Sequence, residues 1–246
     1  MDTIYEVKYH QLEDIHWWFR ARRRKVLDYV QVSPEAKYLD IGCSTGMLLS
    51  ELISRGADPD SVYGVDISES AIGTCVERGL KHAHVMDAAS ITFDKESFDC
   101  IVSSDCLEHL EDDNKALQNW YTLLKPGGRL VVFVPAFMSL WSPHDVVNHH
   151  YRRYERGELA QKMEAAGFTV QDQGYWNFTL FFPIFIFRII KKVFFNISEQ
   201  TPQEDLKRPN LLVNKLLFGL LSLENRLMKS LHFPIGVSTY CICTKK

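Results

Sequence analysis

The stretch YLDIGCSTGMLLSEL, Tyr38 to Leu52, constrains what this chain can fold into more than any other segment. A short run with strand character enters a turn holding two glycines, and the turn opens an apolar helix. About 20 residues past the second glycine, the run SVYGVDIS places the acid Asp66 at the end of another strand. Glycines in such a turn let the backbone approach a ligand, and a carboxylate at the end of the second strand accepts hydrogen bonds from ribose hydroxyls.

Short apolar runs keep alternating with helical patterns through SAIGTCVERGL, HAHVMDA, FDCIVSSD, DDNKALQNWYTLL and RLVVFVPA, where Pro135 ends the fifth strand. Such alternation implies βαβ units and a parallel sheet. The pattern RGELAQKMEAAGF predicts a helix closed by Gly167; FTVQDQGYW and GVSTYCICTK read as the last two strands, the latter with period-two alternation. Ahead of the first strand, YHQLEDIHWWFRARRRKVLDYV reads as one helix. The organisation expected is a helical cap over 1–36, an α/β domain over 37–175 and 234–246, and a helical insertion over 176–233.

With 246 residues and 46% hydrophobic content the chain can bury a sizeable core. A net charge of −3 argues against general nucleic-acid binding, which needs a surplus of Lys and Arg. The six cysteines form no CxxC pair, and several sit in apolar runs as small buried hydrophobes. A reducing, cytoplasmic setting is expected, and the acidic, mixed N-terminus lacks the order of a signal peptide.

The glycine turn is DxGxSxG rather than GxGxxG. Asp40, ahead of the first glycine, would repel a pyrophosphate and attract a cationic amino-acid group. A third acid, Asp87 in HVMDAAS, is placed to accept from an adenine amino group, with Met86 or Ala88 lining the ring. Three acids at strand ends describe a pocket for a positively charged adenosine compound.

The ordered set LDIGCSTG, VDIS, MDA, LEHLEDD and LLKPGGRLVVFVPA resembles the successive motifs of class I S-adenosylmethionine-dependent methyltransferases, over residues 37 to 175 and the final strand. The resemblance implies a doubly wound, seven-stranded, mostly parallel sheet with an antiparallel last strand. It implies S-adenosyl-L-methionine as cofactor and S-adenosyl-L-homocysteine as product. It assigns Asp40, Gly42 and Gly46 to the methionine end, Asp66 with Ile67 to the ribose, and Asp87 with Met86 and Ala88 to the adenine; Ser44 and Asp105 join the cofactor pocket. Ser44 stands where many members have glycine, which is tolerable if that position avoids positive φ. Family members often cover the cofactor with an N-terminal segment, so Trp17, Trp18 and Arg22 are expected to close the pocket; aromatic packing under a solvated basic face is the alternative.

The loop SPHDVVNHHYRRY, Ser142 to Tyr154, follows the fifth strand, where ligands of this architecture bind. Methyl transfer from a sulfonium needs no metal: it needs the acceptor placed in line and water excluded. An oxygen or nitrogen acceptor also loses a proton, and imidazole suits that task. The loop resembles an HD...HxRRY stretch of some bacterial methyltransferases. His144 or His150 is expected as the base, Asp145 as its orienting partner, and Arg152 and Arg153, with Tyr154, as binders of an anionic acceptor group. A turn that only caps the next helix is the other reading.

After the fourth strand, DCLEHLED offers Asp105, Glu108 and His109 on one side of a helical turn, a candidate for a divalent ion. The arrangement is similar to the ExxEH of quinone-precursor O-methyltransferases, yet metal-independent members carry nearly the same stretch, so no metal is expected. His109 stands as a further candidate for the base.

The insertion begins WNFTLFFPIFIFRIIKKVFF and continues to LLVNKLLFGLLSLENRLM, which aligns Leu212, Leu216, Leu220, Leu223 and Leu227 on one helix face. Its uncharged run is too short to span a bilayer and is interrupted by Pro183. Residues 178–228 are expected to form a membrane-surface element with Arg188, Lys191 and Lys192 towards anionic headgroups, or a lid, or a homodimer interface. The functional expectation is methyl transfer to an oxygen or nitrogen of a bulky apolar or lipid-linked small molecule, in the cytoplasm or peripherally at the inner face of the membrane. An NAD-dependent oxidoreductase, disfavoured by the turn spacing and Asp40, and a non-catalytic cofactor-binding partner or regulatory protein remain as alternatives.

Overall fold

A computed structural model of the chain describes residues 9–194 and 210–246, with side chains over 9–190 and 210–246. Helix α1 (Trp17–Leu27) precedes β1 (Tyr38–Ile41), α2 (Met47–Ser54), β2 (Val62–Asp66), α3 (Glu69–Glu77) and β3 (His82–Val85). Then come β4 (Phe98–Ser104), α4 (Asp113–Leu123), β5 (Leu124–Pro135), α5 (Pro143–Val147), α6 (Arg156–Ala165) and β6 (Phe168–Trp176). The insertion supplies α7 (Phe181–Phe194) and α8 (Leu211–Leu227), and β7 (Ser238–Lys245) closes the sheet.

The sheet has seven strands in the order β3-β2-β1-β4-β5-β7-β6, parallel except for β7, which runs antiparallel to both β5 and β6. Because β1 pairs with β2 on one side and β4 on the other, the chain order reverses there. The connections after β1 and β4 leave towards opposite faces at that point, which opens a crevice at the carboxyl ends of the two strands.

Period-two alternation divides the buried residues between two cores. Tyr38, Val131, Phe133, Tyr240 and Ile242 pack on the face of α1 and α2, whereas Leu39, Ile41, Leu130, Val132, Cys241 and Cys243 pack on the face of α4 and α6. All six cysteines are free thiols, five of them buried.

The single N-terminal helix expected from sequence is two pieces. Residues 9–12 are helical, the chain turns, and His16 caps α1 by accepting from the Trp18 N–H. The basic cluster on α1 is only partly solvated: Arg22 and Lys25 are buried, while Arg20 and the exposed Arg24 lay their guanidinium groups over the Phe218 ring of α8 at 4.3 and 4.5 Å.

Helix α8 is turned inside out relative to an ordinary amphipathic helix. Its leucine stripe, Leu212, Leu216, Leu220, Leu223 and Leu227, faces solvent, while Asn214, Phe218, Leu221, Glu224 and Asn225 face the protein. The inward polar groups hold other elements in place. Asn225 accepts from the Trp176 indole N–H at 2.7 Å and donates to the Ala21 carbonyl at 3.0 Å. Glu224 accepts from the N–H groups of Phe178 and Thr179 ahead of α7, and Asn214 bridges the Trp17 N–H and the Ile15 carbonyl across the N-terminal break. No helix among the described residues is long and apolar enough to cross a membrane. Asn225→Leu strands a buried indole N–H and a buried carbonyl, so it should lower stability by about 2 to 4 kcal/mol in urea unfolding, with no comparable loss for the exposed Leu223→Gln.

Candidate functional site

One cavity of about 1020 Å³ opens at the β1–β4 crevice. It runs from Asp40, Asp66 and Asp87 past Asp105 to Glu108, His109, His144, His149 and His150, and reaches Ile184 and Arg188 of α7. That is more than one small ligand fills. Four of the six non-glycine residues with positive φ among the described residues, Ser44, Asp105, His149 and Asn177, line it. Backbone strain is therefore concentrated where a ligand would sit.

At the acidic end, the turn after β1 is tied to β2: the N–H groups of Gly42 and Cys43 both donate to the Val65 carbonyl. Asp66 accepts from the Ser44 N–H at 2.9 Å and the Ser68 N–H at 2.9 Å, one on each oxygen, which fixes its carboxylate facing the cavity. Ser44 adopts positive φ, at 45°, so the condition set for a non-glycine residue there is not met, and its N–H donates to Asp66 in that conformation. Gly46 is displaced from the site: it lies at φ 76° ahead of α2, and a Cβ there would meet Leu80 at 2.2 Å. It is a packing glycine rather than a ligand contact. Asp87 accepts from the Ala89 N–H, Trp120 anchors the Ala88 carbonyl at 2.8 Å, and Ile67, Met86 and Ala88 line the wall.

Asp40 is buried beside other acids. Desolvation, with Asp66 and Glu13 close by, pushes its carboxyl up to about 8. Glu13, unrecognised in the sequence, reaches the cavity from the N-terminal segment, where the Thr45 hydroxyl donates to it; burial pushes it up too. The helix break between Glu13 and α1 hides it from any periodicity argument.

Trp17, Trp18 and Arg22 all line the cavity. Arg22, however, is a fixed wall rather than a cover. It donates to Asp105 at 3.0 Å and to Ser238 of β7 at 2.6 Å, with its guanidinium carbon 4.9, 4.9 and 4.4 Å from the rings of Trp18, Phe133 and Trp176. Asp105 is thereby engaged, its second oxygen accepting from Ser104. It stands apart from Glu108 and His109 as a metal ligand.

The histidine loop is organised around Asp145, which is wholly buried. Its carboxylate accepts from the Ser142 N–H and hydroxyl as the cap of α5, from Arg153 through Nε at 2.7 Å and Nη2 at 3.0 Å, and from His150 Nδ1 at 2.9 Å. Burial alone would raise this carboxyl, but His150 and Arg153 hold it well below the usual carboxylate range. The helix that follows the loop, α6, is capped by Glu155 and Glu158 rather than by the loop's histidines and arginines, so the loop is not a cap for it. With Nδ1–H given to Asp145, the lone pair of a neutral His150 lies on Nε2.

The His109 and His150 rings meet edge to face at 4.5 Å, and His144 lies 6.1 Å from His150. Burial lowers His109 to about 3 and His144 to about 4, so both are neutral, lone-pair-bearing imidazoles near pH 7. Glu108, fully buried, is pushed well up by desolvation and by Asp105, and both its oxygens lack a hydrogen-bond partner among the described residues.

Arg152 and Tyr154 do not reach the cavity. The extended chain alternates sides, so Arg153 turns to Asp145 while Arg152 and the fully buried Tyr154 turn away from the cavity to Asp113 of α4, at 3.0 and 2.9 Å. Arg153 has its fork occupied by Asp145, so none of the three is placed to take an acceptor anion. Arg188, expected to face headgroups, instead lines the cavity beside His144. The side chains of Lys191 and Lys192, and residues 195–209, lie outside the described residues.

A family model of a methyltransferase domain matches residues 9–173. The chain is 29% identical over 185 residues, 63% of its length and 78% of the relative's, to a ubiquinone biosynthesis O-methyltransferase of Coxiella burnetii strain RSA 331. It is 31% identical over 141 residues, 53% of the chain and 54% of the relative, to a ubiquinone/menaquinone biosynthesis C-methyltransferase of Vibrio cholerae. Among solved structures, an S-adenosylmethionine-dependent methyltransferase from Mesorhizobium loti shares the fold at 14% identity, with a TM-score of 0.60, over 92% of this chain and 98% of that one.

Arg153→Met should cost about 3 to 5 kcal/mol at neutral pH in urea unfolding, because it leaves the Asp145 carboxylate buried and underpaired. The Asp145 pKa is depressed in the folded chain, so this stabilisation is present above about pH 4 and is lost on acidification below it; the difference between variant and wild type should narrow over the same range.

Proposed function

Since the chain belongs to the class I S-adenosylmethionine-dependent methyltransferases, we propose that it methylates an oxygen or nitrogen of a bulky apolar or lipid-linked small molecule seated against its imidazole rim. The observation carrying this reading is the continuity of one cavity from the acid end to the histidines and on to α7. The cofactor's cationic methionine end would sit by Asp40, its ribose at Asp66 and its adenine by Asp87, Met86 and Ala88. The acceptor lone pair attacks the methyl carbon in line with the breaking C–S bond, whose electron pair returns to sulfur to give S-adenosylhomocysteine. The acceptor proton passes to an imidazole of the rim, His144 or His150. Excluding water and aligning the reactants carry the rate, because the sulfonium is already activated.

Support for an apolar acceptor comes from the insertion and from the relatives named for ubiquinone biosynthesis. Helix α7 presents Ile184 and Arg188 to the cavity and Phe182, Ile186, Ile189 and Ile190 to solvent. The outward leucines of α8 extend that surface, with Lys215, Arg226 and Lys229 exposed alongside. Such a basic-flanked apolar face suits an anionic membrane surface, from which a lipid-linked acceptor would enter past α7.

Asp66→Ala should weaken S-adenosylhomocysteine binding by about 1 to 3 kcal/mol in calorimetry, since ribose hydroxyls lose a charged partner; unchanged affinity removes Asp66 from the site. Asp40 starts high and a cationic ligand favours its carboxylate, so S-adenosylmethionine affinity should rise with pH by up to about tenfold per unit below about pH 8, then level off. Asp40→Asn should flatten that slope. Flotation with anionic vesicles should retain the wild type and release a Leu212→Glu, Leu216→Glu, Leu223→Glu variant, whose changes lie on the exposed stripe and spare Glu224 and Asn225. Equal flotation would sink membrane contact, and a wild-type dimer that this variant dissociates would point to a subunit interface instead.

A further inference from the structure

We propose that the Asn177 carboxamide reads the head group of the methyl acceptor, and that this head group presents a carbonyl oxygen beside an N–H or O–H. Asn177 lines the cavity and is fully buried, yet neither its Oδ1 nor its Nδ2 has a hydrogen-bond partner among the described residues. Buried carboxamides ordinarily fill both functions, because taking them out of water unpaired is costly. A ligand that enters the cavity is the partner this side chain is placed to meet.

Asn177 directly follows β6 with φ at 65°, a conformation that glycine and asparagine adopt most readily. Glycine would meet that backbone need as well, so the need does not account for a carboxamide buried in the cavity wall. The chain on either side is fixed. The Asn177 carbonyl accepts from the Val237 N–H at 3.3 Å, the N–H groups of Phe178 and Thr179 donate to Glu224 of α8, and a Cβ on Gly236 would meet the Trp176 carbonyl oxygen at 2.4 Å. The side chain is thereby positioned before any ligand arrives, which spares the cost of ordering it on binding. Its place in the sheet assigns it to the acceptor half of the cavity. The three acids belong to β1, β2 and the turn after β3, whereas β6 is the opposite edge strand, about 19 Å from β1 at the usual strand spacing. Helix α7, which starts at Phe181, brings Ile184 to the cavity, so the route for an apolar body begins beside this head-group contact.

The inference rests on the methyl-transfer reading above and narrows its acceptor class. A carboxamide is matched by an acceptor and a donor on neighbouring groups: Nδ2–H donates to one while Oδ1 accepts from the other, the pairing by which asparagine reads an adenine edge. A carboxamide, a lactam or a hydroxyketone on the acceptor supplies both. A ketone or ether leaves Oδ1 unpaired, and an ionised carboxylate sets a second negative oxygen against it. Discrimination follows from that shortfall, because a ligand lacking one atom of the pair leaves a buried polar group of the protein without a partner. Asn177 moves no proton; it fixes which molecule sits against the imidazole rim and in what orientation.

The test uses the full chain saturated with S-adenosylhomocysteine and three probes on one apolar body, titrated by calorimetry: 2-naphthamide, with a carbonyl beside N–H; 2-(hydroxyacetyl)naphthalene, with a carbonyl beside O–H; and 2-acetylnaphthalene, with a carbonyl alone. At least one of the first two should bind about tenfold or more tighter than 2-acetylnaphthalene, and the tighter of the two separates an amide from a hydroxyketone. Asn177→Gly keeps the left-handed backbone and deletes the carboxamide, so it should erase that margin. Asn177→Asp, of the same shape but without the Nδ2–H donors, should erase it too. Unchanged S-adenosylhomocysteine affinity in both variants shows that they fold and that Asn177 is no cofactor contact. Equal affinity for the three probes, binding of none of them, or a margin that survives Asn177→Gly overturns the proposal and leaves the methyltransferase reading intact. Loss of S-adenosylhomocysteine in both variants overturns it as well, since the carboxamide then serves the cofactor; loss in Asn177→Gly alone leaves Asn177→Asp to decide by the same margin. A wild type that binds no S-adenosylhomocysteine would remove the proposed function instead, and the probe margin, measured without it, would still decide the role of Asn177.

Discussion

The central position of β1 is the constraint from which the site follows. Hydrogen-bonded to β2 and β4 at once, with Asp40 opposite Gly64 and Val102, it cannot shift without breaking two ladders. The register carries Asp40, Asp66 and the turn of Asp105 to the same end of the sheet. It also places a carboxyl in a buried location beside two other acids, which raises Asp40 to about 8. A positively charged ligand relieves that repulsion; among the described residues no cation is seen to pair with Asp40, and Arg22 directs its Nη2 to Asp105 and Ser238 instead.

The alternation of strands and helices and the three acids at strand ends were legible in the sequence because both are written in local patterns, whereas seven strands with an antiparallel last one followed from the family resemblance. What was not legible depended on contacts between distant segments. The helix break at His16 rests on Asn214, nearly 200 residues away, bonding the backbone on both sides of it. Ser44 takes a positive φ because Asp66, on another strand, accepts from its N–H. The loop RRY looks like one anionic-group binder, yet an extended backbone sends its neighbouring arginines to opposite sides, one to Asp145 and one to Asp113. Residue types announced the chemistry of that loop; only the backbone direction could divide it.

The insertion shows the same limit from the opposite side. Leucine spacing on α8 correctly marks one apolar face, and an ordinary reading would bury it. The buried face is the polar one, because Trp176, the N–H groups ahead of α7 and the N-terminal break each present groups that need partners. Satisfying buried donors outranks burying five leucines here, since an unpartnered buried group costs about as much as a buried leucine contributes. The leucines are then left outward as a consequence of hydrogen bonding.

The cavity that results has two chemically distinct ends, and the distinction comes from how each charge is supported. At the acid end, Asp66 is held by backbone N–H groups and Asp40 by none of the described side chains, so the field there is negative and answers to the ligand. At the other end Asp145 is neutralised by Arg153 and screened behind His150, so the cavity there is lined by imidazoles, with both Glu108 oxygens buried and lacking a hydrogen-bond partner among the described residues. The acid end is thereby the one whose field favours a cationic ligand, and the imidazoles lie at the other end of the same cavity. The separation matters because a carboxylate placed beside the acceptor would compete for the electrophilic methyl, whereas a buried carboxylate behind an imidazole can direct the ring without reaching the methyl itself.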